Sequence, residues 1–238
     1  MTLRASPPDA VLITRPEPGA GETAARIRSL GLVPIVAPVL EIRPLPMSPP
    51  SGRMAAVLLA SGNAVDALPA VLHALPVLTV GSATARRAKQ AGFADVTSAD
   101  GDAVALATLV QARFRPREGT LLLAAGRGQS LALAASLREA GFRVARRVAY
   151  AAVPVPRLPD AARAALLDQR TRTVLFFSAE TTRHFMRLVR AAGLADTLRS
   201  RDAITIGGRA SMALKDAHWA RVRVASQPTQ DEMLALLR

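Results

Sequence analysis

The sequence predicts an α/β protein of two similar lobes with parallel sheets, the first lobe discontinuous and joined to the second by a two-stranded linker. Three observations predict it. Short apolar runs alternate with helical patterns along the whole chain, the mark of α/β lobes with parallel strands. The chain also repeats itself: Val80-Gly81-Ser82-Ala83-Thr84 with Lys89, Ala91, Phe93 and Val96 returns as Ile206-Gly207-Gly208-Arg209-Ala210 with Lys215, Ala217, Trp219 and Val222. Finally, the repeat is permuted. Val57–Ser61 and Val174–Ser178 precede the two glycine units, while Ala25–Leu32 near the start matches Ala135–Phe142 in the middle. Internal similarity sets architecture before any local reading. Here the chain starts in lobe one, crosses to lobe two and returns.

Strands are expected at Ala10–Thr14, Val33–Ala37, Ala55–Ala60, Val77–Val80, Asp95–Ser98, Thr120–Ala124, Arg143–Tyr150, Thr173–Phe177, Ala203–Ile206 and Arg221–Ala225. Helices are expected at Gly21–Leu30, Ala64–Ala74, Ala83–Ala91, Ala103–Arg113, Ser130–Ala140, Pro159–Gln169, Thr181–Ala192, Arg209–Ala217 and Gln230–Leu237. Gly31, Gly92, Gly141 and Gly193 fall just past helices, where a left-handed cap is wanted. The β-prone, proline-punctuated stretches 39–47 and 144–155 are the linker strands. Lobe one then takes 1–38 and 156–238, and lobe two takes 48–143.

The 238 residues carry a formal charge of +13, and half are hydrophobic, enough for a core in each lobe. No apolar run reaches the roughly 18 residues a membrane helix needs. Met1–Pro8 has no signal-peptide core, and cysteine is absent, so a cytoplasmic protein without disulfides or thiolate chemistry is expected. The three histidines, His73, His184 and His218, are scattered and have no metal-site spacing. His184 lies mid-helix and reads as structural. Lysine occurs only at Lys89 and Lys215, and the arginines are spread over every segment rather than gathered in a stripe. With 3% aromatics the chain offers no base-stacking platform, so the positive charge points to a small polyanion and not to nucleic acid.

In open α/β sheets ligands bind beyond the carboxyl ends of the strands. Those ends supply the candidate binding residues: Thr14 and Arg15; Ser61, Gly62 and Asn63; Gly81, Ser82, Ala83 and Thr84; Gly126 and Arg127; Ser178 and Ala179; Gly207, Gly208 and Arg209. Small residues let backbone approach a ligand, and a following helix start offers free N–H groups that suit a carboxylate or phosphate. Such loops in two mirrored lobes would line a cleft. No nucleophile elbow, Walker loop or dinucleotide fingerprint is present, and Glu17, Asp66 and Glu180 form no evident pair. Tyr150, the single tyrosine, lies on a linker strand. It fits either a hydroxyl turned to a ligand or a half-buried strand tyrosine.

These residues resemble a family. Leu12-Ile13-Thr14-Arg15-Pro16, Pro38–Ile42, Val80–Ala85, Gly92–Val96, Gly126-Arg127, Gly141–Val144 with Tyr150, Phe176-Phe177-Ser178 and Val222–Pro228 are similar, in order, to uroporphyrinogen-III synthases. The resemblance implies two flavodoxin-like lobes and a reaction: hydroxymethylbilane loses water, its ring D is inverted and the macrocycle closes. It implies no metal and no organic cofactor. It makes Tyr150 the catalytic residue that assists loss of the hydroxyl, and Thr84, Ser61 and Ser178 substrate-facing. Arg209-Ala210-Ser211 departs from the pattern, which often has a threonine after the lobe-one glycine; Ser211 is the candidate substitute. The expected partners are hydroxymethylbilane and a transient contact with the enzyme that makes it, with the chain a monomer away from membranes and nucleic acid. The rival reading is a non-enzymatic two-lobed binding protein for a small polyanion.

Overall fold

The computed structural model describes residues 9–238. The reading of Met1–Pro8 lies outside these. In chain order the elements are β1 (Ala10–Ile13), α1 (Gly19–Ser29), β2 (Val33–Val36), β3 (Leu40–Pro44), β4 (Met54–Leu59), β5 (Val77–Thr79), α2 (Ser82–Gln90) and β6 (Val96–Ser98). Then follow α3 (Ala103–Arg113), β7 (Thr120–Gly126), α4 (Leu131–Glu139), β8 (Arg143–Pro154), α5 (Asp160–Leu167) and β9 (Thr171–Phe176). The chain ends with α6 (Ala179–Ala191), β10 (Asp202–Thr205), α7 (Gly208–Met212), β11 (Arg221–Val224) and α8 (Gln230–Ala235). The chain divides into two compact units: residues up to Glu41 with Val153–Arg238, and Ile42–Ala152.

The first unit holds a parallel sheet ordered β11-β10-β9-β1-β2. Counted along its own sequence, that is the flavodoxin order, 2-1-3-4-5. Alternation along the strands divides its core into two layers. Leu12, Val174, Phe176 and Ala203 face α5 and α6 with Ala162, Leu166, Phe185 and Val189. Val11, Ile13, Leu175 and Ile204 face α1 and α8 with Ala24, Ile27 and Met233. Helices on both faces explain why the strands read as continuous apolar runs.

The second unit has the sheet order β3-β8-β7-β4-β5-β6. Its strands β8-β7-β4-β5-β6 correspond, one for one, to β2-β1-β9-β10-β11 of the first unit. The layout is the same and the chain enters it at a different strand, as the permuted repeat requires. Leu58, Leu78, Leu121 and Leu123 pack on α3 and α4 with Leu106, Val110 and Leu137; Val57, Leu59, Val77 and Leu122 pack on the opposite side with Val65, Leu72 and Ala88. At the edge, Leu45 N–H bonds the Ala149 carbonyl and Val155 N–H bonds the Val39 carbonyl, an opposite order that makes the β3–β8 pair antiparallel.

Local chemistry explains the helix ends. Ser178 caps α6 by accepting from Thr181 N–H, and Asp102 caps α3 by accepting from Val104 and Ala105 N–H. The α1, α2, α4 and α6 helices stop at Gly31, Gly92, Gly141 and Gly193, all with positive φ. After α6, Leu194 N–H reaches back to the Val189 carbonyl, a left-handed closure that glycine permits.

Two expected helices are corrected. Ala64–Ala74 is replaced by two 3-10 segments, Gly62–Ala67 and Ala70–Leu72. Pro69 between them has no N–H and pushes Leu68 to an extended ψ of 122°. Arg209–Ala217 shortens to α7, the five residues Gly208–Met212 behind Gly207. A 3-10 segment at Ala195–Ser200 was not expected.

Candidate functional site

In each unit the strand order reverses at one place, the switch point beyond whose carboxyl ends open α/β sheets bind their ligands. In the first unit this switch point lies between β1 and β9. In the second it lies between β7 and β4. Arg15 and Ser178 follow the first pair; Gly126-Arg127 and Ser61–Asn63 follow the second.

Arg15 leaves β1 half-buried. Its Nη1 donates to Thr23 Oγ1 at 3.3 Å and to Gln230 Oε1 at 3.0 Å, and its guanidinium lies over the Phe177 ring. Gly19 lets it settle: a Cβ there would stand 2.5 Å from Nε. Burial lowers its pKa, opposed by attraction from Glu22 and Glu17, and a guanidinium stays charged regardless. No carboxylate forms an ion pair with Arg15 among the described residues. Its guanidinium is held in place by neutral neighbours. Thr23, Gln230, Phe177 and Gly19 were not foreseen; Gln230 and Phe177 reach Arg15 from elements far along the chain.

Thr14 is corrected. It is fully buried, and its hydroxyl donates to the Leu175 carbonyl at 2.7 Å, which ties β1 to β9. Its side chain fixes the strand that carries Arg15. The half-buried Ser178 accepts from Thr181 N–H at 3.1 Å and donates to Thr181 Oγ1 at 2.9 Å, so capping occupies it, with Ala179 opening the helix behind. Gly207 and Gly208 begin α7, Arg209 is exposed, and Ser211 is partly buried.

In the second unit the structure brings two predicted loops together. Ser61 Oγ accepts from Asn63 N–H at 3.3 Å. A Cβ on Gly62 would lie 3.2 Å from Arg87 Cδ and 3.9 Å from Thr84 Cα, so this loop packs on the start of α2. There Gly81 is extended and its carbonyl takes the Thr79 hydroxyl and the Ala85 N–H. The N–H groups of Ser82, Ala83 and Thr84 precede the first intrahelical bond and have no partner among the described residues. Three free donors at a helix start favour an anion. Arg87 is drawn aside by Asp66 at 2.5 Å.

Gly126-Arg127-Gly128-Gln129 forms a tight turn, closed by Gln129 N–H on the Gly126 carbonyl at 3.0 Å. Gly128 takes φ +72°, as the third position of a type II turn requires. Arg127 is exposed at its tip, and its N–H bonds the Tyr150 carbonyl. Tyr150 is 2% exposed and donates to Gln129 Oε1 at 2.8 Å. Sequence reasoning missed Gln129; the only clue was a polar residue directly after Gly126-Arg127-Gly128.

No group of three or more metal-ligating side chains occurs among the described residues, and none of their helices is long and apolar enough to cross a membrane.

A family profile described as HEM4, Uroporphyrinogen-III synthase HemD, matches residues 21–235. A crystal structure of uroporphyrinogen-III synthetase from Helicobacter pylori 26695 is similar at TM-score 0.64 and 16% identity, covering 97% of this chain and 98% of that one. A mutant uroporphyrinogen III synthase from the extremely thermophilic bacterium Thermus thermophilus aligns at TM-score 0.47 and 20% identity over 96% and 97% of the two chains. No curated protein matches. The first likeness shows the fold, and the profile, spanning most of the chain, shows that the chain belongs to the uroporphyrinogen-III synthase family.

Proposed function

We propose that this chain catalyses the dehydrating cyclisation of hydroxymethylbilane to uroporphyrinogen III, as a cofactor-free lyase of the cytoplasm. Family membership supports an enzyme of tetrapyrrole synthesis, and the carboxyl-end loops supply what this substrate needs. The bilane carries eight carboxylates. Loss of its terminal hydroxyl as water leaves an electrophilic azafulvene. Attack on it from the substituted α-carbon of ring D gives a spiro intermediate, which reopens and closes with ring D inverted. No electrons are exchanged with an outside donor, so positioning dominates the task.

The observation that carries the reading is Arg15: a half-buried guanidinium at a topological switch point, held by Thr23, Gln230 and Phe177 and left without an ion-pair partner among the described residues. A carboxylate arm of the bilane completes it. The free N–H groups of Ser82, Ala83 and Thr84 and the exposed Arg127 offer grips of the same kind in the second unit. Each bond from a charged group contributes about 1.5–3 kcal/mol, so a few arms suffice to hold a floppy chain in one fold.

Turnover separates this reading from the rival binding module. Protein at one-hundredth of the bilane concentration should consume all of it well ahead of the protein-free control. Consumption that stops at one equivalent per chain would favour the binding module.

A further inference from the structure

We propose that Gln129, and not Tyr150, is the residue behind the β7 turn that touches the substrate, and that Tyr150 acts through it as a positioning residue. The inference rests on the reaction proposed above and names a further group at its site. Tyr150 is buried and its phenol donates to Gln129 Oε1. With Oε1 so committed, the amide keeps two N–H donors on Nε2. These have no partner among the described residues, and Gln129 is exposed. The side chain therefore presents uncharged donors on the same turn that carries Arg127, chemistry that suits a carboxylate oxygen.

The backbone beneath is held from several directions. Arg146 Nε donates to the Gln129 carbonyl at 2.8 Å and Arg146 Nη2 to the Gly126 carbonyl at 3.0 Å. Ser130, directly after Gln129, takes φ +58°, a left-handed conformation unusual for a residue with a side chain. Such strain persists where the surroundings over-determine it, and it clusters at binding sites. The β7–β8 register shifts between Ala125 and Gly126, so Ala149 is an extra residue opposite the ladder. Both Ala149 and Tyr150 consequently enter the same core layer, and the bulge turns the phenol toward Gln129. Gly126 leaves the space, since a Cβ there would lie 2.8 Å from both Gln129 Oε1 and Tyr150 Cζ. For Tyr150 to hand a proton to the substrate, it would have to break this bond and leave its layer.

A double-mutant cycle with Gln129→Leu, Tyr150→Phe and the pair tests this. Gln129→Leu should raise KM about tenfold, the loss of a hydrogen bond to a charged group, and leave kcat within about threefold. Tyr150→Phe should raise KM by less, and should add nothing in the Gln129→Leu background. A fall in kcat of about 10²-fold or more on Tyr150→Phe, equal in both backgrounds, would show a proton donor acting directly and overturn the proposal. Gln129→Glu lies on the surface and still accepts from Tyr150, but it sets a negative charge where the donors stood. It should raise KM more than Gln129→Leu does, and an unchanged KM would also overturn the proposal. The same variants, read by fluorescence titration with uroporphyrin III, report on Gln129 as dissociation constants. Failure of wild-type turnover, the failure of the reaction itself, is thus distinguishable from failure of this inference.

Discussion

The guanidinium carbon of Arg15 lies 4.2 Å from the centroid of the Phe177 ring. The contact joins the loop after β1 to the end of β9 across the place where the strand order reverses. A cation on an aromatic face keeps its charge while giving up part of its water. Thr23 and Gln230 also accept from Nη1, so neutral neighbours set the orientation of the guanidinium. The fork of a guanidinium matches a carboxylate, and a lysine ammonium does not.

Arg15→Lys should therefore weaken substrate capture, raising KM about 10- to 100-fold, the loss of one charge-assisted bond. Gly19→Ala is the subtler probe. Its Cβ would collide with the guanidinium, and the end of a side chain can move aside. Steady-state kinetics should show a raised KM, and thermal unfolding a midpoint close to wild type. A wild-type KM in Gly19→Ala would remove the preoriented Arg15 from the account.

Phe185→Ala should destabilise the first unit by about 3–5 kcal/mol. Phe185 is fully buried and meets Phe176 edge-on, with ring centroids 5.3 Å apart. Urea unfolding measures the loss, and a change below about 1 kcal/mol would show that the layer over α6 repacks without a cavity.

Much of this organisation was legible in the sequence. The permuted repeat carried the shared sheet layout, because corresponding strands need the same apolar runs and the same small residues at their carboxyl ends. Gly31, Gly92, Gly141 and Gly193 were readable as caps because positive φ is a local demand. The segment after Ser61 was misread because one proline outweighed its helical pattern. Thr14 looked available among the strand-end loops, but its hydroxyl is spent on a strand 161 residues away. Gln129 was invisible for the same reason in reverse. Its place depends on a bulge in β8 and on Arg146, neither of which leaves a local mark.

Acid should act on the first unit through Asp168. Hydrogen bonds from the Arg170 side chain and backbone hold this carboxyl below its usual range. A depressed folded pKa means a stabilising contribution that is present at neutral pH, above the unfolded value of about 4, and is lost as pH falls through the folded value. The melting-temperature gap between wild type and Asp168→Asn should be larger at about pH 6 than at about pH 3. Equal gaps at both would dismiss the pair.

Substrate capture should depend on salt and be indifferent to chelators. The chain carries +13, and its candidate grips are cationic or N–H donors. Screening shortens the reach of such attraction to about 10 Å at 0.1 M salt, so KM should climb as salt rises. Dialysis against EDTA should leave kcat unchanged. Loss of turnover restored by a divalent ion would contradict the cofactor-free proposal.

The identity of the product bears on the central claim most directly. Left alone, hydroxymethylbilane closes head to tail to the symmetric isomer I, since that route needs no rearrangement. Isomer III forms only where ring D is held so that attack from its substituted carbon outruns direct closure. Purified protein given freshly made bilane, followed by oxidation and chromatographic separation of the porphyrins, should yield mainly uroporphyrin III. An isomer ratio equal to that of the protein-free control, with the bilane demonstrably bound, would contradict the account.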